Sequence, residues 1–82
     1  MIDVLYFAWL RERVGVGHEQ IETSAATVAD LIEELKARGN AHARAFEDVS
    51  SLRVAVDQEL ADFSAPLTGV REIAFFPPMT GG

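Results

Sequence analysis

Gly81 and Gly82 close the sequence behind a stiff apolar approach, Phe75-Phe76-Pro77-Pro78-Met79-Thr80. A carboxylate on Gly82 carries no side chain, and neither does the residue before it. A narrow enzyme channel can then close on the backbone from any side, as only glycine permits. A carboxylate is a poor acyl donor, because resonance and negative charge deter nucleophiles. Coupling it to AMP gives a reactive mixed anhydride that a sulfur or amine nucleophile can open. The Gly82 carboxyl group is therefore the candidate chemical handle, and a frayed tail that merely ends in glycine is the alternative. Pro77-Pro78 favours polyproline geometry and points the chain away from the body. From Pro77 to Gly82 the reach is at most roughly 20 Å.

Other chemistry is sparse. His18 and His42 are the only histidines and fall on separate elements, and there is no cysteine. A metal site is not expected, and neither is a thiol nucleophile or a disulfide scaffold. If this protein handles sulfur, something other than a cysteine must carry it. Glu33 and Glu34 read as solvated helix acids. Asp57 and Glu59 read as turn formers. Trp9 beside Arg11 reads as packing. No nucleophile–base pair or phosphate loop is present, so a partner must supply most of any active site.

Composition sets the frame that holds this handle. Eighty-two residues allow one small domain, and a hydrophobic share of 49% argues for a folded one. The net charge of −6 opposes nucleic-acid binding and is read either as favouring a basic protein partner or as plain acidic solubility. No apolar run is long enough to span a membrane. Met1-Ile2-Asp3-Val4 lacks a basic n-region, so a cytoplasmic location is expected.

Along the chain, Ile2–Leu10 reads as a first strand, and Gly15 and Gly17 supply a turn. His18–Thr23 reads as a weak returning edge strand. Val28, Leu31, Ile32 and Leu35 fall at i, i+3, i+4 and i+7, so they predict an amphipathic helix. Thr27 and Asp30 cap its start, and Gly39 is placed to end it. Ala41–Glu47 reads as a short helical turn carrying Phe46 inward. Leu52, Val54 and Val56 alternate with Arg53, Ala55 and Asp57 as a half-buried strand. Asp57-Gln58-Glu59 forms a turn and Leu60 begins a short strand. Arg71–Phe76 is the last strand, which Pro77 stops. One main helix on one mixed sheet makes a two-layer α+β domain. If the first and last strands lie side by side, the arrangement is a β-grasp, with the domain over residues 1–76 and a tail over 77–82.

In this register Ile2, Val4, Tyr6, Leu52, Val54, Val56, Ile73 and Phe75 meet the helix stripe. Leu5, Phe7, Ala55, Ala74 and Phe76 then face the other way, with Leu60 nearby. Two accounts of that second face stand open: a protein-binding surface, or a core covered by Ala41–Glu47 or a loop.

Three stretches together resemble the small subunits of molybdopterin synthase. They are Val4-Leu5-Tyr6-Phe7-Ala8 with Leu10-Arg11-Glu12 and Val14-Gly15, then Leu52–Glu59, and most specifically the ending Glu72-Ile73-Ala74-Phe75-Phe76-Pro77-Pro78-Met79-Thr80-Gly81-Gly82. The chain departs from that family at Asp57, where asparagine is usual. It departs again at Thr68–Glu72, where an acidic turn is usual. The resemblance implies a ubiquitin-like β-grasp fold. It implies adenylation of the Gly82 carboxylate by a ubiquitin-activating-like partner using ATP, then thiocarboxylate formation with sulfur from an upstream donor. The sulfur would pass to cyclic pyranopterin monophosphate in the large subunit, building the dithiolene of molybdopterin. Two small subunits would flank a dimer of large ones. Pro77, Pro78, Met79, Thr80 and Gly81 would enter the large subunit's pocket, and Phe7, Leu60 and Phe76 would contact it. No stably bound cofactor is implied, and the chain would be a non-catalytic donor subunit. A thiamin-type sulfur carrier, a ubiquitin-like modifier and a β-grasp binding module are the alternatives.

Overall fold

The computed structural model describes residues 1–78. Its elements run β1 (Ile2–Tyr6), α1 (Trp9–Val14), β2 (His18–Ile21), α2 (Val28–Lys36), α3 (Asn40–Ala45), a 3-10 turn (Val49–Ser51), β3 (Arg53–Val56), β4 (Glu59–Ala61) and β5 (Glu72–Phe76). The five strands form one sheet in the order β2-β1-β5-β3-β4. β1 and β5 pair in parallel at its centre, Val4 beside Ile73 and Tyr6 beside Phe75. The remaining pairings are antiparallel. First and last strands thus lie side by side, as the β-grasp expectation requires. Their ends fall together at one end of the sheet, where the chain leaves β5 for Pro77.

The helix stripe is as predicted. Val28, Leu31, Ile32 and Leu35 are all buried, against Val4, Tyr6, Val54, Ile73 and Phe75 from the sheet. Thr27 Oγ1 accepts from the Asp30 N–H at 3.3 Å and donates to Asp30 Oδ2 at 3.0 Å. This fixes the start of α2 and satisfies one of its orphan donors. Ile2, Leu10, Ile21, Ala45, Phe46, Leu52 and Leu67 complete the core. At about 1.5–3 kcal/mol for each fully buried large apolar side chain, this one-sided core is the main source of stability.

Three local expectations are corrected. β1 ends at Tyr6, not Leu10, because Ala8 adopts φ 55° and ψ −133°, and the chain turns there into α1. Leu10 and Val14, four residues apart, seat that short helix on the core side, Leu10 buried and Val14 partly so. Gly15 closes it in a left-handed cap, its N–H donating to the Arg11 carbonyl at 2.9 Å. Secondly, α2 ends at Ala37 in an ordinary helical conformation, while Gly39 precedes α3 at φ 158°. Thirdly, Val56 is only half-buried, near the rim of the sheet.

One polar cluster ties the layers together. Glu19 on β2 accepts from Tyr6 Oη at 2.8 Å and lies 2.8 Å from His42 Nε2 on α3, with Arg38 at 3.8 Å. Burial works against the charged carboxylate. The hydrogen bonds from His42 and Tyr6 outweigh it and hold the Glu19 pKa below the ordinary value of 4.5. A depressed folded-state pKa adds stability that is fully present above the unfolded value and is lost as pH falls through the folded one. The urea midpoint of the wild-type chain should therefore exceed that of Glu19→Gln at pH 6. The gap should narrow as pH drops below 4.5. A gap that stays constant down to pH 3 would remove Glu19 ionisation from the account.

Candidate functional site

The sheet has a second face, turned away from α2 and α3, and strand register dictates what lines it. Leu5 pairs with Ala74, Ala74 with Ala55, and Ala55 with Leu60. Because side chains alternate along each strand, these four residues form one apolar rung across β1, β5, β3 and β4. The next rung towards the tail sets Arg53 opposite Phe76. Phe7 lies beside it, its N–H donating to the Phe75 carbonyl at 3.1 Å. On the far side, Asp3 pairs with Glu72.

This face is exposed where its large side chains sit. Leu60 is 74% exposed and Phe7 48%. Phe76 is half-buried, and Ala74 is buried on the central strand. Of the two accounts left open above, cover by Ala41–Glu47 is excluded. Phe46 packs on the helix side, 5.0 Å from the Phe75 ring and 6.2 Å from the Tyr6 ring between centroids. The outward-facing set read from alternation is therefore the set the fold presents. An exposed apolar face of this kind is a candidate interaction site on a small domain.

The register also brings this face to the root of the tail. Phe76 ends β5, and Pro77 and Pro78 follow it, both half-buried. Met79, Thr80, Gly81 and Gly82 lie outside the described residues. Phe7, Phe76 and the start of the tail are thus adjacent, while Leu60 stands two strands away on the same face.

Other residues singled out in the sequence resolve into structural roles. Asp57 and Gln58 make the two-residue turn between β3 and β4, both at positive φ, 49° and 71°. Asp57 Oδ1 also accepts the N–H groups of Arg71 and Glu72, at 3.0 and 2.9 Å, which anchors the start of β5. Glu34 accepts from Thr23 Oγ1 at 2.8 Å. Trp9 packs, partly buried, against the core, as expected, and carries the Arg13 guanidinium 4.5 Å over its ring. His18 lies 3.2 Å from Asp3 Oδ1, and its hydrogen bond, followed by that of Gln20, lowers the Asp3 pKa. Among the described residues no group of three or more His, Cys, Asp or Glu could hold a metal ion. No described helix is long and apolar enough to cross a membrane.

The Glu19 cluster was not anticipated, because its members come from four separate segments and no spacing links them. α1 did leave a signal, the pair Leu10 and Val14 followed by Gly15.

The ThiS family matches residues 4–82. The chain is 44% identical over 82 residues to the molybdopterin synthase sulfur carrier subunit of Escherichia coli K12, covering 100% of both. It is 42% identical over 82 residues to the protein of the same name from Haemophilus influenzae, again covering 100% of both. Among solved structures, SAMP1 from Haloferax volcanii superposes with a TM-score of 0.75 at 26% identity, over 99% of this chain and 98% of that one.

Proposed function

This chain belongs to the ThiS family, and from that premise we propose that it is the sulfur carrier subunit of a molybdopterin synthase. The observation that carries the reading is the full-length match, 44% identity with 100% of both chains aligned. It takes in the Phe-Phe-Pro-Pro approach and the final glycines. The apolar sheet face at the root of the tail supports it independently.

The Gly82 carboxylate attacks the α-phosphorus of ATP on an adenylating partner, and pyrophosphate leaves. Hydrosulfide released by an upstream donor then attacks the acyl carbon: a C–S bond forms, AMP departs with the C–O bonding pair, and the sulfur gives up its proton. The resulting thiocarboxylate is a better nucleophile than the carboxylate it replaces. It delivers sulfur to cyclic pyranopterin monophosphate inside the large subunit. This chain contributes the acyl group and the surface that docks it; the partners contribute the catalytic groups. Glycine at residues 81 and 82 leaves the acyl carbon open to each nucleophile.

Intact mass tests the reading. After incubation with ATP, the adenylating partner and a sulfur donor, the chain should gain the difference between one sulfur and one oxygen. An unchanged mass with active partners would refute it. A thiamin-type carrier would load in the same way but bind a thiazole synthase in place of a pterin-binding large subunit. Covalent adducts on other proteins would indicate a modifier.

Phe7, Leu60 and Phe76 form the docking set for the large subunit. Exposed apolar anchors at the centre of an interface are worth about 2 kcal/mol or more each, roughly 30-fold in Kd. Phe7→Asp and Leu60→Asp should each weaken binding by about that factor or more, with the thermal midpoint little changed. Titration of the large subunit by calorimetry reads the affinity. A collapsed Phe7→Asp monomer would make Phe7 a core residue instead.

A further inference from the structure

The outward face of the sheet is polarised along its strands. Far from the tail, Asp3 on β1 stands beside Glu72 on β5. The middle rung is Leu5, Ala74, Ala55 and Leu60. At the tail end come Phe7, Phe76 and Arg53, with Arg53 opposite Phe76. Two residues separate one rung from the next, about 6.8 Å along a strand. Acidic, apolar and basic ends thus succeed one another within about 14 Å.

The chain neutralises neither end fully. Like charges on neighbouring strands oppose sheet pairing, and Asp3 and Glu72 are neighbours of that kind. His18 lies 3.2 Å from Asp3. Among the described residues the acids in ion pairs are Asp3, Glu19 and Glu33, so Glu72 has no such partner. Arg53 has none either. Its guanidinium donates to the adjacent Leu52 carbonyl at 3.1 Å, and the residue is exposed.

A second copy of this chain supplies what each end lacks. Let two such faces meet about a two-fold axis that lies between them and runs across the strands. Strand direction then reverses from one copy to the other, and every contact occurs twice. The acidic rung of each copy comes over the arginine rung of its mate, and the two apolar rungs meet at the centre. Stacked sheets lie about 10 Å apart with strands within about 30° of each other. An arginine and a glutamate side chain together bridge that gap. Five strands of at most five residues give a face of about 400 Å², so two copies bury roughly 800 Å² in all. That is the size of a weak, reversible contact, below that of a permanent dimer.

We propose that the free chain forms a weak two-fold dimer through this face, Arg53 of each copy pairing with Glu72 of the other around a centre of Leu5, Ala55, Ala74 and Leu60. The dimer covers Phe7, Leu60 and Phe76, so it competes with any protein that docks on them. The dimer itself follows from the fold, and only its competition with the large subunit rests on the function proposed above.

Sedimentation velocity on the full chain tests this, from about 10 µM to about 1 mM. The wild type should shift from monomer towards dimer across that range, and added salt should push it back. R53E sets like charges against each other twice in its own dimer, and so does E72R. Each should self-associate about tenfold more weakly than wild type or worse. A one-to-one mixture of R53E and E72R should recover the wild-type shift, because each copy then carries the sign that the other lacks. The double variant R53E/E72R should recover it alone. Thermal melts check that the variants fold. R53Q and E72Q, which only remove charge, should each give a smaller loss in the same direction. A wild type still monomeric at about 1 mM would overturn the proposal. So would a mixture of folded R53E and E72R no more associated than either component. Both results leave the sulfur-carrier reading standing, since it makes no claim about the free chain's oligomeric state.

Discussion

Deleting Gly82 is expected to reduce sulfur transfer to background while leaving the unfolding curve of the domain in place. The two effects separate because the described core ends at Phe75, whereas the proposed chemistry sits on the last carboxyl group. Without Gly82 the acyl group moves one residue inward, about 3.5 Å along an extended chain. A misplacement of even 1 Å in a near-attack geometry can cost about 100-fold. Adding one alanine after Gly82 moves the carboxylate outward by the same step and sets a methyl group beside the reacting carbon. Both variants should still bind the large subunit, since Phe7, Leu60 and Phe76 are untouched. Product formation in a reconstituted synthase reads the first effect, and a thermal melt reads the second. Persistent transfer from either variant would mean that the Gly82 carboxylate is not the carrier.

The contrast between the two faces of the sheet was legible in the sequence because it rests on alternation and on a single helix stripe. Ile2, Val4 and Tyr6 on one side, with Leu5 and Phe7 on the other, follow from a period of two. Val28, Leu31, Ile32 and Leu35 follow from a period of 3.6. The parallel β1–β5 pairing is not encoded locally, but it is what one covering helix and a buried last strand lead to. What escaped was set by backbone or by long-range contact. Ala8 at φ 55° is a conformation no alanine announces, so the end of β1 was placed too late and α1 was read as strand and turn. The cap at Gly39 was misplaced because α2 stops two residues earlier and the glycine serves the entry to α3. The meeting of Tyr6, Glu19, Arg38 and His42 depends on α3 folding back over β2, which no pattern in those residues states. At the site, the outward set was readable, whereas the place of Phe7 beside Phe76 at the root of the tail needed the register of β1 against β5.

Phe46→Ala is expected to cost about 3–5 kcal/mol, the usual range for removing a fully buried aromatic ring. For a chain of this length total stability is roughly 4–12 kcal/mol, so the variant should sit near its unfolding midpoint in mild denaturant. Phe46 has 0% exposure. Its ring meets Phe75 at 5.0 Å and 79°, and Tyr6 at 6.2 Å and 64°, both edge-on. Such aromatic pairs add about 0.5–1.5 kcal/mol beyond the area they bury. The location matters as much as the size. Phe46 follows α3 directly, so its ring pins that helix to β1 and β5. Tyr6 and Phe75 are the residues just before Phe7 and Phe76, so a loosened Phe46 site loosens the backbone that presents the docking set. Phe46→Leu, which keeps most of the volume, should cost much less. Urea unfolding of the three proteins measures the ladder. Affinity for the large subunit should fall for Phe46→Ala in proportion to the unfolded fraction, and stabilising osmolyte should restore it. For Phe7→Asp the loss should persist in osmolyte, because that change acts on the contact and not on the fold. If Phe46→Ala costs less than 1 kcal/mol, the aromatic contacts between α3 and the sheet do not hold the layers together, and the presentation of Phe7 and Phe76 must depend on β1 and β5 alone.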